Sequence, residues 1–167
     1  MCDLLYQKTP GMLQASILLL LLMFCGNAAA ASYSLPADIG SGPFSSCSGG
    51  GPTYNCSNDV SLNNNDSVAL TADVTLNIDG DFDVGKNVVI DNNGFLFAVD
   101  ITGDIDIDDG AQVNANLDAD GKIELGKNVV INGNIAAGDD IEIGDDTRVT
   151  GNIDSGGKID IKKCGKG

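Results

Sequence analysis

The sequence predicts an all-β protein, a single-stranded β-solenoid of about six coils with an 18-residue period. Isoleucine recurs at this interval in the second half of the chain, at Ile105, Ile123, Ile141 and Ile159. An asparagine column keeps the same step, at Asn116, Asn134 and Asn152. Repeats this short cannot bury their own apolar face, so each unit must stack on its neighbours.

The pattern within each unit is that of β-strands. From Val60 onward apolar residues alternate with polar ones, as in Val74, Leu76 and Ile78. Such alternation is typical of strands with one buried face. Helix is disfavoured because the segment is rich in Gly, Asn, Asp and β-branched residues. The predicted repeats cover residues 58–161.

One coil is expected to carry an insertion. The hexapeptide Gly-Lys-Asn-Val-Val-Ile occurs at 85–90 and again at 126–131, a separation of 41 residues, which is one 18-residue coil plus one of 23. The five extra residues are predicted near 92–95. Gly85 and Gly126 occupy the same turn position, where we expect a positive φ that glycine tolerates.

The first 31 residues are predicted to be a signal peptide. The apolar run Ile17–Phe24 precedes four alanines, Ala28 to Ala31, which is the order of a secretory signal. Cleavage is expected after Ala30 or after Ala31, and an uncleaved anchor is the alternative. The sequence therefore predicts an exported protein, located in the periplasm, the outer membrane or at the cell surface of a bacterium.

Residues 32–57 are predicted to form an irregular N-terminal cap, because they are rich in Gly, Ser and Pro and lack a period. In an exported protein Cys47 and Cys56 are expected to pair in a disulfide. Cys164 has no assigned partner and could be a free thiol, an intermolecular bridge or part of a longer chain. Residues 162–167 form a basic C-terminal tail.

The formal net charge of −15 argues against nucleic acid and anionic membrane surfaces as partners. We expect no membrane contact beyond the export signal. Two outward columns carry charge. One alternates in sign: Asp104, Lys122, Asp140, Lys158. The other is acidic: Asp83, Asp106, Glu124, Glu142, Asp160. The lysines are expected to offset the repulsion within the acidic column.

Neither an enzyme nor a cofactor site is expected. The chain has no histidine, so histidine-dependent solenoid enzymes are excluded. Calcium would need several oxygens converging on one point, whereas strand alternation spreads these acids over a flat face. We therefore predict no metal site. The weak calcium candidates lie at predicted turns: Asp108, Asp109, Asp145 and Asp146.

The repeats resemble a known family. The segments 140–144, Asp-Ile-Glu-Ile-Gly, and 149–152, Val-Thr-Gly-Asn, are similar to the repeats of bactofilins, the polymer-forming cytoskeletal proteins. That resemblance implies a right-handed β-helix that assembles end to end without nucleotide. The cap, with Tyr33-Ser34-Leu35-Pro36, Cys47 and Thr53-Tyr54-Asn55-Cys56, resembles exported proteins of the MSHA pilus biogenesis Q type.

Together these features predict an exported structural protein, a bactofilin-like polymer-forming solenoid with a scaffold or assembly role at the bacterial cell envelope. The expected self-assembly edge is the last coil, with Ile153, Ile159 and Ile161, and the expected partner is a second copy or an envelope or pilus protein. The alternative is an adhesin or pilus-biogenesis-associated surface module whose acidic face could bind cations.

Overall fold

The computed structural model describes residues 29–162, which form short strands and one short 3-10 helix. The predicted signal peptide up to residue 28 and the end of the predicted tail, 163–167 with Cys164, lie outside the described residues. Among residues 29–162, no helix combines the length and the hydrophobicity needed to cross a membrane.

The strands form three sheets, which we call A, B and C. Sheet A contains, in spatial order, β1 (Ser32–Leu35), β5 (Ser67–Leu70), β8 (Val89–Asp91), β11 (Gln112–Val113), β14 (Val130–Ile131) and β17 (Arg148–Val149). Sheet B contains β2 (Cys47–Gly50), β3 (Thr53–Cys56), β6 (Val74–Ile78), β9 (Phe97–Ile101), β12 (Asn116–Ala119), β15 (Ile135–Ala137) and β18 (Ile153–Ser155). Sheet C contains β4 (Val60–Leu62), β7 (Phe82–Val84), β10 (Ile105–Ile107), β13 (Ile123–Leu125), β16 (Ile141–Ile143) and β19 (Ile159–Ile161).

From β3 onward the chain visits the sheets in the order B, C, A, which makes a three-sided solenoid. It completes five coils and adds β18 and β19 as two sides of a sixth, so the predicted solenoid of about six coils is confirmed. Apart from the β2–β3 hairpin, all strand pairs are parallel, and Ile105 pairs with Ile123 and Ile123 with Ile141 at the predicted interval of 18. The inward side chains of these strands form one buried core.

The earlier coils are longer. Val60 pairs with Phe82, 22 residues later, and Phe82 pairs with Ile105, 23 residues later. The extra residues lie at the corner between sheets A and B, so the predicted insertion near 92–95 is confirmed. A similar extension in the preceding coil was not predicted. The two corners stack, since the Leu96 N–H donates to Asp73 Oδ1 at 2.9 Å.

The prediction that the turn glycines adopt a positive φ is wrong. Positive φ values occur two residues later, at Asn65, Asn87, Gly110, Asn128 and Asp146. Gly126 is needed for a different reason: a Cβ there would lie 2.7 Å from Asp109 Oδ1 of the coil below. The close approach between stacked corners, and not the backbone angle, excludes a side chain at this glycine.

The N-terminal segment 32–57 is more regular than the predicted cap. Its strands β1 and β3 pair in parallel with β5 and β6, so both belong to the solenoid wall. Strand β2 folds back antiparallel on β3, and the structure joins Cys47 and Cys56 in a disulfide. The 3-10 helix Gly42–Phe44 places the buried Phe44 beneath the first coil, edge-on to Tyr33 with ring centroids 5.9 Å apart.

Candidate functional site

The last described coil exposes core positions. Ile159 is 43% and Ile161 65% exposed, whereas Ile141 and Ile143, one coil earlier, are buried. Ile153 is half-buried. Within residues 29–162, β17, β18 and β19 each pair with a neighbouring strand on one side only. The predicted edge residues therefore lie together, beside backbone groups available for another strand.

The opposite end of the solenoid is covered. Leu35, Val60 and Leu62 lie on the first strand of sheets A and C, and all three are buried. The 3-10 helix that carries the buried Phe44 contacts β4, and the β2–β3 hairpin closes the corresponding side of sheet B. The two ends of the core therefore differ: one is closed by the cap, and the other is open to solvent in the described residues.

The acidic column runs along sheet C, where Asp106 pairs with Asp83 below and Glu124 above. Partial burial raises the pKa of Asp106, and the nearby carboxylates of Glu124, Asp108 and Asp83 raise it further, while Lys122 opposes them. Like charges on adjacent strands destabilise the fold. The column is therefore a source of electrostatic strain in the folded state.

Lysines next to the strands of sheet C relieve this strain, and one of them, Lys162, reaches Glu142 from the next coil at 3.6 Å. Lys122 Nζ lies 3.1 Å from Glu124 Oε1, and this hydrogen bond raises the pKa of Lys122. Lys158 Nζ lies 3.2 Å from Asp160 Oδ2. The lysines thus pair with the acidic column, as the sequence predicts.

The aspartates of the alternating column accept hydrogen bonds from the backbone of the next coil. Asp104 Oδ1 accepts the backbone N–H of Lys122 at 2.8 Å, and Asp140 Oδ1 accepts that of Lys158 at 2.6 Å. These carboxylates bond to the backbone of the next coil and not to the lysine side chains. The column supports the register through hydrogen bonds that cross from coil to coil.

An acidic groove, which the sequence analysis missed, lies at the corner between sheets B and C. It has a volume of about 330 Å³, and its acidic lining consists of Asp79, Asp100, Asp118 and Asp120. Burial raises the pKa of Asp100, and the carboxylate of Asp118 raises it further. The 18-residue separation of Asp100 and Asp118 places them on adjacent coils and could have indicated this groove. That Asp79 and Asp120 lie at the same corner depends on the path of the folded coils.

The four calcium candidates lie at corners of the coils and are partly engaged in other contacts. Asp109 Oδ1 accepts the Lys127 N–H at 2.7 Å, and Lys127 Nζ lies 3.8 Å from Asp145 Oδ2. Asp108 is exposed, and Asp146 holds a positive-φ turn position. Within residues 29–162, no group of three or more acidic, Cys or His residues has an arrangement suited to a metal ion.

The stacked coils define the class of protein as a β-solenoid repeat protein, a fold suited to scaffolds and polymers. No protein-family model, curated protein or solved structure matches the chain.

Proposed function

We propose that the protein is an exported structural protein, a bactofilin-like solenoid that self-associates as a scaffold at the bacterial cell envelope. The observation that carries the proposal is the difference between the two ends of the core. Ile159 and Ile161 expose apolar surface beside open strand edges, and the cap covers the other end. Exposed edges of this kind template pairing with another chain.

Because the N-terminal end is covered, the assembly that we propose is a tail-to-tail pair. When two C-terminal coils meet about a two-fold axis through the centre of β19, β19 lies antiparallel to its copy. The same axis places β17 of one copy against β18 of the other. Each contact is isologous, as in most symmetric dimers.

Most facing side chains are compatible in this arrangement. With Val149 opposite Ile153 of the second copy, these two inward residues are both apolar, and the inward Ser155 lies opposite Thr147. The outward residues then bring Arg148 opposite Asp154, two opposite charges. On sheet C, Ile159 lies opposite Ile161 of the other β19, and Asp160 lies opposite Asp160 of the other copy. This like-charge contact is unfavourable, and Lys158, whose Nζ lies 3.2 Å from Asp160 Oδ2 of its own chain, partly offsets it.

Light scattering over a wide range of protein concentration tests the proposal. We expect concentration-dependent association of the purified protein, and its loss in Ile161→Lys, because a charge in the contact is costly to bury. Leu96→Lys is the matched control, since Leu96 is 54% exposed but lies at a side corner far from the edge. A strictly monomeric protein, or equal loss in both variants, would overturn the proposal.

A charge exchange tests the tail-to-tail register. Arg148→Asp and Asp154→Arg should each weaken association through like-charge contacts, and the double variant should restore it. If the double variant associates no better than either single one, the proposed pairing of β17 with β18 is wrong, even if self-association itself is observed.

The acidic groove favours a second candidate, a binding module that presents its carboxylates to a cationic partner such as a pilus subunit. Its four aspartates lie at one corner of the coil, and burial, together with the carboxylate of Asp118, raises the pKa of Asp100. Under this alternative the protein stays monomeric and is retained by pili in a salt-dependent manner. Asp100→Asn with Asp118→Asn should then abolish retention, and cell fractionation should find the protein at the surface.

A further inference from the structure

Asp66 is the only charged side chain that is buried among residues 29–162, with 1% of its surface exposed. It lies at the corner before β5, directly below a column of core residues. The equivalent corner positions in the next three coils are Val88, Ala111 and Val129, all fully buried. One coil thus places a carboxylate where its neighbours place apolar side chains.

The hydrogen-bond partners of this carboxylate are two backbone groups. The Ala31 N–H donates to Asp66 Oδ1 at 2.7 Å, and the Asn63 N–H donates to Asp66 Oδ2 at 2.9 Å. Both donors are neutral amides as long as residue 30 precedes Ala31. A positively charged partner stabilises a buried carboxylate, because burial removes the water that would otherwise stabilise its negative charge.

Ala31 itself is held in place from both sides. Its carbonyl oxygen accepts the Ser67 N–H at 2.8 Å, and Ser32, the next residue, starts the pairing of β1 with β5. Ala29 and Ala30 are exposed, whereas Ala31 is half-buried. The peptide bond between Ala30 and Ala31 therefore lies between the exposed residues 29–30 and the start of the β1–β5 pairing.

We propose that proteolytic processing cuts the Ala30–Ala31 bond and that Asp66 binds the new α-ammonium group of Ala31. Hydrolysis by a signal-type endopeptidase consumes one water: the C–N bond breaks, Ala30 gains a carboxylate, and the Ala31 nitrogen gains protons to become an ammonium. The nitrogen that already contacts Asp66 then carries a positive charge. Asp66 becomes a receptor for the mature N-terminus.

This geometry distinguishes between two cleavage sites that the sequence allows equally. Small residues at the third and first positions before the cut occur for a cut after Ala30, with Ala28 and Ala30, and for a cut after Ala31, with Ala29 and Ala31. A cut after Ala31 would remove both the donor to Asp66 and the acceptor for Ser67. It would leave a buried carboxylate oxygen and a backbone N–H without these partners, which is unfavourable.

The inference requires the processing that the export proposal includes, but not the scaffold role. Its first test is the intact mass and N-terminal sequence of the protein recovered from cells that express the full chain with its leader. We expect Ala31 as the first residue. A protein that begins at Ser32, or that keeps its leader, would overturn the proposal.

The second test measures whether the new N-terminus and Asp66 are coupled. Denaturant unfolding is compared for the processed protein and for a form that retains Ala30, each with Asp66 and with Asp66→Asn. Retaining Ala30 should lower the folding equilibrium constant by roughly tenfold or more when Asp66 is present, because a charged hydrogen bond is lost. In the Asp66→Asn background the same extension should have little effect.

Equal effects of the extension in both backgrounds would show that the ammonium and the carboxylate do not interact. Asp139→Asn serves as the control substitution, since Asp139 is an exposed corner residue in a coil remote from Asp66. If Asp66→Asn does not fold, Asp66→Val replaces it, because Val88 holds the equivalent position one coil later. Self-association is not measured in these tests, so their failure is separable from failure of the scaffold proposal.

Discussion

Asp104 Oδ1 accepts a hydrogen bond from the backbone N–H of Lys122, one coil later, at 2.8 Å. The residue before the donor is Gly121, and a Cβ there would collide with the same carboxylate oxygen. The next coil shows the opposite combination. At the position of Asp104 it carries Lys122, whose side chain offers no acceptor. One coil further along, the position of Gly121 is occupied by Asp139. The aspartate of one coil and the glycine of the next are thus a structural pair.

Gly121→Ala should destabilise the protein by about 1–3 kcal/mol, as for other substitutions that force a methyl group into a close-packed contact. Gly50→Ala is the matched control, because the same methyl group at Gly50 meets no atom within 4 Å. Thermal unfolding of the two variants checks the prediction. Similar midpoints for both would mean that the corner can widen without cost.

Asp104→Ala should cost about 1 kcal/mol, since it leaves the Lys122 N–H without its acceptor. Asp104→Asn keeps an acceptor oxygen at the same place and should lie close to the unmodified protein. Chemical unfolding of both variants measures the difference. If asparagine is as damaging as alanine, the charge and not the hydrogen bond is the stabilising element.

Asp106→Asn should stabilise the protein at neutral pH by about 0.5 kcal/mol, because it removes one like charge from the acidic column. The folded-state pKa of Asp106 is raised above its ordinary value of 3.8. The folded protein therefore binds this proton more tightly than the unfolded chain, and its stability falls as the pH rises through the window above 3.8. The advantage of the variant should disappear below about pH 3, where Asp106 is protonated in both states.

Unfolding curves at several pH values check this effect, with Asp154→Asn as the control. Asp154 pairs with Ala136, which carries no charge. A gain in stability of equal size for both variants would point to the overall charge of −15 and not to the column.

Reduction of the Cys47–Cys56 disulfide should destabilise the protein by roughly 2–3 kcal/mol, because the unfolded chain regains the freedom that closing the loop removed. The bond joins β2 to β3, so the loss should affect the N-terminal coil first. Thermal unfolding with and without reductant measures the shift. The double variant Cys47→Ala with Cys56→Ala is the control, and it should not respond to reductant.

The sequence by itself determined which side chains point inward. The 18-residue step of Ile105, Ile123 and Ile141 follows from stacking, and each of these residues is buried in the core. The solenoid fold, the position of the insertion and the exposed edge that contains Ile159 and Ile161 could be predicted from that period. The alternation of apolar and polar residues indicates which face of a strand is buried, because this pattern repeats within a few residues.

The tertiary structure alone decided that β1 and β3 belong to the solenoid wall, where the turns adopt positive φ and what surrounds Asp66. The Ala31–Asp66 contact joins residues 35 apart in the chain, and the coils between β4 and β10 have steps of 22 and 23. Such contacts depend on the register in which unequal coils stack. That register is set by the packing of the whole core and not by any segment of the chain alone.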